Sequence, residues 1–345
     1  MIHSLTGLLP QEIAEKLELD AAFRGRQIFK WIAQGAETFD DMTNLSRDLR
    51  AKLSEISQVY STRIKQTLTD PDGTIKLQIE LNDGRLIETV LLTDAEGRKT
   101  ACVSCQAGCA MNCAFCQTGK LGFGRNLEAG EIVEQFLLLE KKAGKLDNIV
   151  FMGMGEPMLN LNAIRKTIEI LGSEEGRNLS KRRITLSTSG IISGIYDLAD
   201  NGPAIRLAVS LTTANEELRK KLMPVTEANP LADLKKAIKY YTEKTGIRCT
   251  LEAALMHDVN TDDAAADELI RFAKGMDVHF NLIPWNPVSS LPFKEPARQE
   301  VNHLMERLEK GGVSATLRTR RGRTIGGACG QLGKSQAVEK TKATE

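Results

Sequence analysis

The 345-residue sequence predicts an α/β protein, a partial (β/α) barrel of TIM type with a small N-terminal helical domain and a β-hairpin extension. Three observations predict it. From Thr100 onward, short strand-like runs alternate with segments of helical periodicity, the pattern of a parallel sheet covered by helices. Just before them, residues 75–81 and 85–92 alternate around Asn82-Asp83-Gly84, a hairpin signal. Residues 1 to about 55 carry helical spacing only.

In the first segment Ile13 and Leu17 share one helical face, and Ile28 and Ile32 another. Gly35 is a stop after Phe29-Lys30-Trp31-Ile32, and Ser46 is a cap for a helix carrying Leu49 and Leu53. Phe23-Arg24-Gly25-Arg26-Gln27 puts basic residues at a helix start, an RNA-contacting surface or a plain packing module. Strands are expected at Thr100–Ser104, Asn148–Met152, Arg183–Leu186, Arg206–Val209, Arg248–Ala253, His279–Ile283 and Ser314–Leu317. Between them Ile132, Phe136 and Leu139, then Leu161, Ile164, Ile168 and Leu171, then Val301, Leu304 and Leu308 recur at helical spacing. The expected division is a helical domain at 1–58, the hairpin extension at 59–98, the barrel core at 99–332 and a disordered polar tail at 333–345.

The net charge is +1, so there is no global basic field. Local charge is concentrated: Arg318, Arg320, Arg321 and Arg323 fall close together, and Lys181, Arg182 and Arg183 are consecutive. Each cluster reads equally as a phosphate-binding surface or a solvated face. No apolar run reaches membrane-spanning length and no signal-peptide pattern opens the chain, so a cytoplasmic protein without membrane contact is expected. Seven cysteines, five of them between Cys102 and Cys116, are unlike a secreted disulfide framework.

Three of those cysteines, Cys109, Cys113 and Cys116, form C-x3-C-x2-C with Phe115 before the last. Thiolates so close converge on a soft metal or a cluster. A structural zinc site takes four ligands. A four-cysteine knuckle using Cys102 or Cys105 is therefore the alternative to a [4Fe-4S] cluster with one iron open. His257, His279 and His303 lack ligand spacing.

Ligands of β/α barrels bind at the C-terminal ends of the strands. Here those ends read Gly153-Met154-Gly155-Glu156-Pro157, Ser187-Thr188-Ser189-Gly190, Ser210-Leu211-Thr212-Thr213 and Pro284-Trp285-Asn286-Pro287. Such repeated small polar groups suit a polar ligand, although any one could merely cap the next helix. Gly153-Met154-Gly155 opens like a dinucleotide fingerprint, but Met158 stands where the last glycine belongs.

The cysteine triplet with its aromatic is similar to the cluster motif of radical S-adenosylmethionine (SAM) enzymes. Several longer motifs narrow this. They are Cys-Val-Ser-Cys-Gln-Ala-Gly-Cys from Cys102, Phe-Met-Gly-Met-Gly-Glu-Pro from Phe151, Leu-Ser-Lys-Arg-Arg-Ile-Thr-Leu-Ser-Thr-Ser-Gly from Leu179, Asn-Leu-Ile-Pro-Trp-Asn-Pro from Asn281 and Gly-Ala-Cys-Gly-Gln-Leu from Gly327. Together they resemble the RlmN family, radical SAM enzymes that methylate C2 of adenine in 23S rRNA and tRNA. The resemblance runs from about residue 5 to about residue 332. It implies a partial radical SAM barrel with a helical N-terminal domain, one [4Fe-4S] cluster per chain and two SAM consumed per turnover. It also implies a donor such as flavodoxin or ferredoxin.

Residue by residue, the resemblance makes Cys109, Cys113 and Cys116 cluster ligands. It makes Gly155, Glu156, Ser187, Ser210, Leu211, Thr212 and Asn286 SAM contacts. Cys329 becomes the methyl carrier, Glu88 the proton acceptor, and Cys102 the resolving thiol, which forms a transient disulfide with Cys329. The implied route suits the substrate: C2 lies between two ring nitrogens and is electron-poor, so a carbon radical can add where a nucleophilic carbon is lacking. The adenine must be unstacked to reach the barrel mouth. The chain departs from the family at Thr212, where Ser-Leu-His is common, and in Arg323-Thr324-Ile325-Gly326-Gly327, where the family usually has an acidic residue before the isoleucine. Cys105 replaces a common serine and Cys249 reads as a core thiol. The competing readings are the C8-methylating relative and a non-catalytic RNA-binding protein with a metal knuckle.

Overall fold

Ten strands form one sheet in strictly sequential order, each hydrogen-bonded to the strand before it, in a computed structural model that describes residues 3–333. They are β1 (Arg63–Thr69), β2 (Ile75–Glu80), β3 (Leu86–Thr93), β4 (Lys99–Cys102), β5 (Asn148–Phe151), β6 (Ile184–Thr188), β7 (Arg206–Ser210), β8 (Cys249–Leu255), β9 (Val278–Pro284) and β10 (Ala315–Leu317). From β4 to β10 every pair is parallel, and from β1 to β4 every pair is antiparallel. β1 and β10 are terminal and unpaired with each other, so the barrel is partial. All seven strands expected after Thr100 are present, and so is the hairpin.

β1 was not anticipated. Its residues, Arg-Ile-Lys-Gln-Thr-Leu-Thr, are mostly exposed and a register shift between Ile64 and Gln66 breaks any alternation. Charged, bulged strands at a sheet edge resist pairing with other chains, and they carry little hydrophobic pattern.

Amphipathic helices link the parallel strands: α4 (Ala129–Ala143), α5 (Leu161–Gly172), α6 (Ile192–Asn201), α7 (Glu216–Leu222), α8 (Leu231–Thr245), α9 (Asp263–Ala273) and α10 (Arg298–Lys310). The three apolar stripes read from sequence are buried on α4, α5 and α10. Because these connections return each strand to the same direction, the ends Cys102, Phe151, Thr188, Ser210, Leu255, Pro284 and Leu317 share one rim.

Ahead of the sheet stand α1 (Pro10–Lys16), α2 (Ala22–Ala33) and α3 (Arg47–Ile56). Ser46 caps α3 by accepting the amide of Leu49 at 3.3 Å, and Gly35 follows α2 with φ +92°. Gly25, inside the basic run that starts α2, has a packing role. A Cβ there would stand 2.1 Å from the carbonyl of Pro10, so α1 and α2 cross at backbone distance. Glu134, fully buried on α4, ties this region to the barrel. Its Oε1 accepts from Ser4, Thr6 and Ser61, and its Oε2 from the amide and hydroxyl of Thr62. Among the described residues no helix is long and apolar enough to cross a membrane. The expected tail, Gly333 apart, lies outside the described residues.

Candidate active site

The cysteine loop leaves the rim after β4 and is pinned on several sides. Cys109 donates its amide to Gly122 at 2.9 Å, Ala114 to Leu222 at 2.8 Å and Gln117 to Gly330 at 2.8 Å. Trp285 donates its indole N–H to the Phe115 carbonyl at 2.9 Å. The three thiols face a cavity of about 180 Å³ whose wall also includes Gly155, Glu156, Ser187, Ser210, Thr212, Asn286 and Cys329. So the structure brings together nine of the ten predicted cluster and SAM residues. Leu211 is the exception: its side chain is fully buried in the core, away from that wall.

The polar strand ends are knitted rather than loose. Glu156, 3% exposed, accepts at Oε1 from Met158 (3.0 Å) and the Thr188 hydroxyl (2.7 Å), and at Oε2 from the amide and hydroxyl of Ser189 (both 2.7 Å). Burial pushes its carboxyl above the ordinary range, and these bonds only partly offset that. Its carboxylate thus joins the end of β5 to the end of β6. Gly155, at φ +110°, is obligatory: a Cβ would sit 2.6 Å from that of Gln106, which accepts the Glu156 amide at 2.9 Å.

Arg219 was missed by sequence reading. In Glu-Glu-Leu-Arg-Lys-Lys-Leu it looks like one more solvated charge, yet it is fully buried. It donates to the carbonyls of Ser189, Ser210 and Leu211 and to the Thr226 hydroxyl, so it binds two strand ends together. Burial lowers its pKa to about 10, still cationic at neutral pH. Thr212, at the position where the sequence departs from the family, has φ +61°. For a β-branched residue that is a strained, left-handed backbone, costing about 1–3 kcal/mol.

Two features test whether a cluster and a polar ligand fit. Among the described residues the one trio of potential ligands converging within 4.8 Å is His257, Asp258 and Glu300, where the imidazole nitrogens bond to two different carboxylates. Three cysteines facing one cavity with a free corner among them suit a cluster that leaves one iron open. Burial raises all three thiols, Cys109 to about 12, so their thiolate form belongs to the metal-bound state. Secondly, Asn286 donates Nδ2 to the Cys329 carbonyl at 3.1 Å, while its buried Oδ1 has no hydrogen-bond partner. An unsatisfied buried acceptor on the cavity wall suits a ligand bearing N–H or O–H groups.

Cys329 is exposed and also lines a second, larger cavity of about 580 Å³, together with Cys102, Cys116, Met152 and Arg318. This outer cavity reaches the exposed turn from Asp94 to Arg98. Burial, then the neighbouring thiol of Cys329, pushes Cys102 up to about 12. The structure shows no disulfide: Cys102 and Cys329, expected to pair only transiently, are free thiols here, like all seven cysteines. Cys102 is at the end of β4 while Cys329 rides a separate loop.

The loop is held by the β-extension. Asp70 accepts the amide (3.0 Å) and hydroxyl (2.6 Å) of Thr324, and Asp72 accepts the amide of Gly322 at 2.9 Å. Deeper, Lys76 donates to Glu88 at 3.1 Å and to the Gly326 carbonyl at 3.3 Å, while Glu88 accepts the Gly333 amide at 2.7 Å. Glu88 is fully buried and lines neither cavity; it sits behind the loop that carries Cys329. Of the two basic clusters, Arg318, Arg320 and Arg321 line the outer cavity, whereas Lys181–Arg183 precede β6 at the opposite end of the barrel.

Comparison with known proteins agrees with this geometry. Residues 103–270 match the Radical SAM superfamily, and residues 12–59 match the ribosomal RNA large subunit methyltransferase N-terminal domain. The chain is 60% identical over 334 residues to a probable dual-specificity RNA methyltransferase RlmN of Treponema denticola, covering 97% of this chain and 96% of that one. It is 56% identical over 335 residues to the Treponema pallidum counterpart, covering 97% and 98%. A crystal structure of a radical SAM methyltransferase from Sphaerobacter thermophilus superposes with a TM-score of 0.93 at 42% identity, covering 96% of this chain and 99% of that one. A cysteine triplet at the mouth of a partial barrel, polar strand ends around it and near-complete similarity to these relatives lead to one conclusion: the chain belongs to the RlmN family of radical SAM RNA methyltransferases.

Proposed function

We propose that the chain methylates C2 of adenine in 23S rRNA and tRNA, with Cys329 carrying the methyl group. The observation that carries this reading is the place of Cys329: its thiol stands on the wall common to the cluster-side cavity and the outer cavity. A group loaded on that sulfur from one side can be presented to a base on the other. Cys109, Cys113 and Cys116 would hold the [4Fe-4S] cluster, and Gly155, Glu156, Ser187, Ser210, Thr212 and Asn286 would surround SAM, with Glu156 acting through its backbone. When bound, the cluster and SAM supply a carbon radical and the methyl group.

The chain's own residues do the rest. Cys329 accepts the methyl and presents it to an adenine unstacked into the outer cavity. Glu88 is the group that would take the C2 proton; since it lies behind the Cys329 loop, paired with Lys76 and bonded to Gly333, that loop must shift before it can reach the base. Cys102, which lines the same cavity, attacks the sulfur of Cys329: an S–S bond forms as the S–C bond to the methylated base breaks, and an external thiol reductant then returns both cysteines to free thiols. In this reading one cluster serves each chain, two SAM are consumed per turnover and the electron comes from flavodoxin or ferredoxin. A reducing cytoplasm suits seven free cysteines. The functional division is a helical unit to about residue 58, the β-extension to about 98 and the barrel beyond.

The test is Cys329→Ala in anaerobically reconstituted protein. The variant should keep its brown iron–sulfur absorbance and still cleave SAM, while RNA digests analysed by mass spectrometry lose 2-methyladenosine. Retained methylation would sink the carrier role, and 8-methyladenosine from the unsubstituted protein would sink the C2 assignment.

A further inference from the structure

Arg320 and Arg323 both end on one carboxylate. Glu295, on the loop between β9 and α10, pairs with Arg320 through Oε1 and with Arg323 through Oε2 at 2.6 Å. The side chains of Arg320, Arg323 and Glu295 are 26%, 40% and 30% exposed, so solvent and larger ligands reach the trio. Burial would raise the Glu295 carboxyl, but the two guanidinium groups outweigh it and keep the group ionised. Arg320 lines the outer cavity, the cavity that Cys329 faces. The pairing also answers a question left by the sequence. Arg323, within the loop that carries Cys329, is balanced by a negative charge that comes across from Glu295.

Two guanidinium groups holding the two oxygens of one small anion have the geometry that also binds the two non-bridging oxygens of a phosphodiester. Part-exposed ion pairs are weak and exchange readily. A base entering the outer cavity brings its flanking phosphates to the rim. We propose that Arg320 and Arg323 form a phosphate seat for the substrate RNA strand, and that Glu295 occupies this seat until a phosphate displaces it. This rests on the RNA-methyltransferase reading above. Glu295 thereby lowers affinity for any polyanion that cannot also place a base in the cavity, and so favours strands with an extrudable adenine over bulk nucleic acid.

The experiment is the binding of unmodified, transcribed tRNA to the reconstituted protein across a KCl series. Glu295→Gln, close in shape and still able to accept hydrogen bonds, should tighten binding by about 3- to 10-fold at low salt and steepen the log–log salt slope by roughly 1. In an Arg320→Gln/Arg323→Gln background the same substitution should do nothing. An unchanged affinity and slope for Glu295→Gln overturns the proposal. So does a full effect in the arginine-free background, because Glu295 would then act as a general charge. If the unsubstituted protein shows no salt-dependent tRNA binding, the RNA reading and this proposal fall together; in the first two cases the RNA reading stands.

Discussion

The two sides of Cys329 are built in different ways. The cluster-side cavity is made from strand ends that the barrel topology delivers to one rim, and its polar groups are stitched by Glu156 and Arg219 within the barrel. The outer side is a loop without regular structure of its own. It is fastened by hydrogen bonds spanning about 250 residues of sequence, from the Asp70–Thr74 turn and the Lys76–Glu88 pair. Radical chemistry needs a rigid, dry inner site. A methyl carrier that serves two cavities needs a segment held firmly but not continuously with the sheet. The difference teaches that the β-extension shapes the outer side of Cys329, although none of its residues is an expected cluster or SAM residue.

Substitutions can break this contrast. The largest effect is expected for Cys113→Ala, which should abolish both SAM cleavage and RNA methylation by at least roughly a thousandfold, whereas Cys329→Ala removes only the second. An assay of deoxyadenosine release separates them; equal loss in both variants would mean the two sides are not functionally distinct. Next comes Lys76→Met, which takes the cation from a buried ion pair whose side chains are 4% and 1% exposed. Breaking such a pair costs about 3–5 kcal/mol, readable by denaturant unfolding. If the β-extension positions the carrier, SAM cleavage should persist in this variant at permissive temperature while RNA methylation falls; parallel loss of both would refute the division.

A smaller effect follows at the turn. Asp70→Asn weakens the clamp on Thr324, so trypsin should cut at Arg320, Arg321 or Arg323 severalfold faster, with the barrel intact on gels. The Thr324 hydroxyl, then the Asp72 amide, hold the Asp70 carboxyl below its ordinary range. Since the folded-state value is the lower one, the clamp contributes fully above the ordinary carboxylate range and is lost as pH falls through the depressed value. Loop cleavage by an acid protease should therefore rise only in that acidic window. The smallest change concerns reactivity alone. At about pH 8, iodoacetamide should label exposed Cys329 and spare Cys102 and Cys249, both buried with thiols pushed up to about 12. Rapid labelling of Cys102 would show that the outer cavity opens further than its walls indicate.

Much of this arrangement was legible before any coordinates. Local spacing marks Cys109, Cys113 and Cys116, and short apolar runs between helical stripes mark the seven parallel strands, along several of which buried residues alternate with half-buried ones. β1 left no such run, since an exposed edge strand has no face to bury. Arg219 and Lys76 were illegible for another reason: a cation reads as solvated unless its partners are known, and those partners lie on other elements. The roles of Cys329, Glu88 and Cys102 came from resemblance rather than from pattern, since single residues carry no period.

By itself the sequence determined the fold class, the cysteine triplet and the polar strand ends, all of which depend on neighbours within about a dozen residues. Tertiary structure alone decided that Cys329 stands between two cavities, that Glu88 lies behind its loop with Lys76, and that Glu295 covers Arg320 and Arg323. Each is a meeting of groups far apart in the chain or on separate loops. Hydrogen bonds and ion pairs act over a few ångströms of space, and only the completed fold sets those distances.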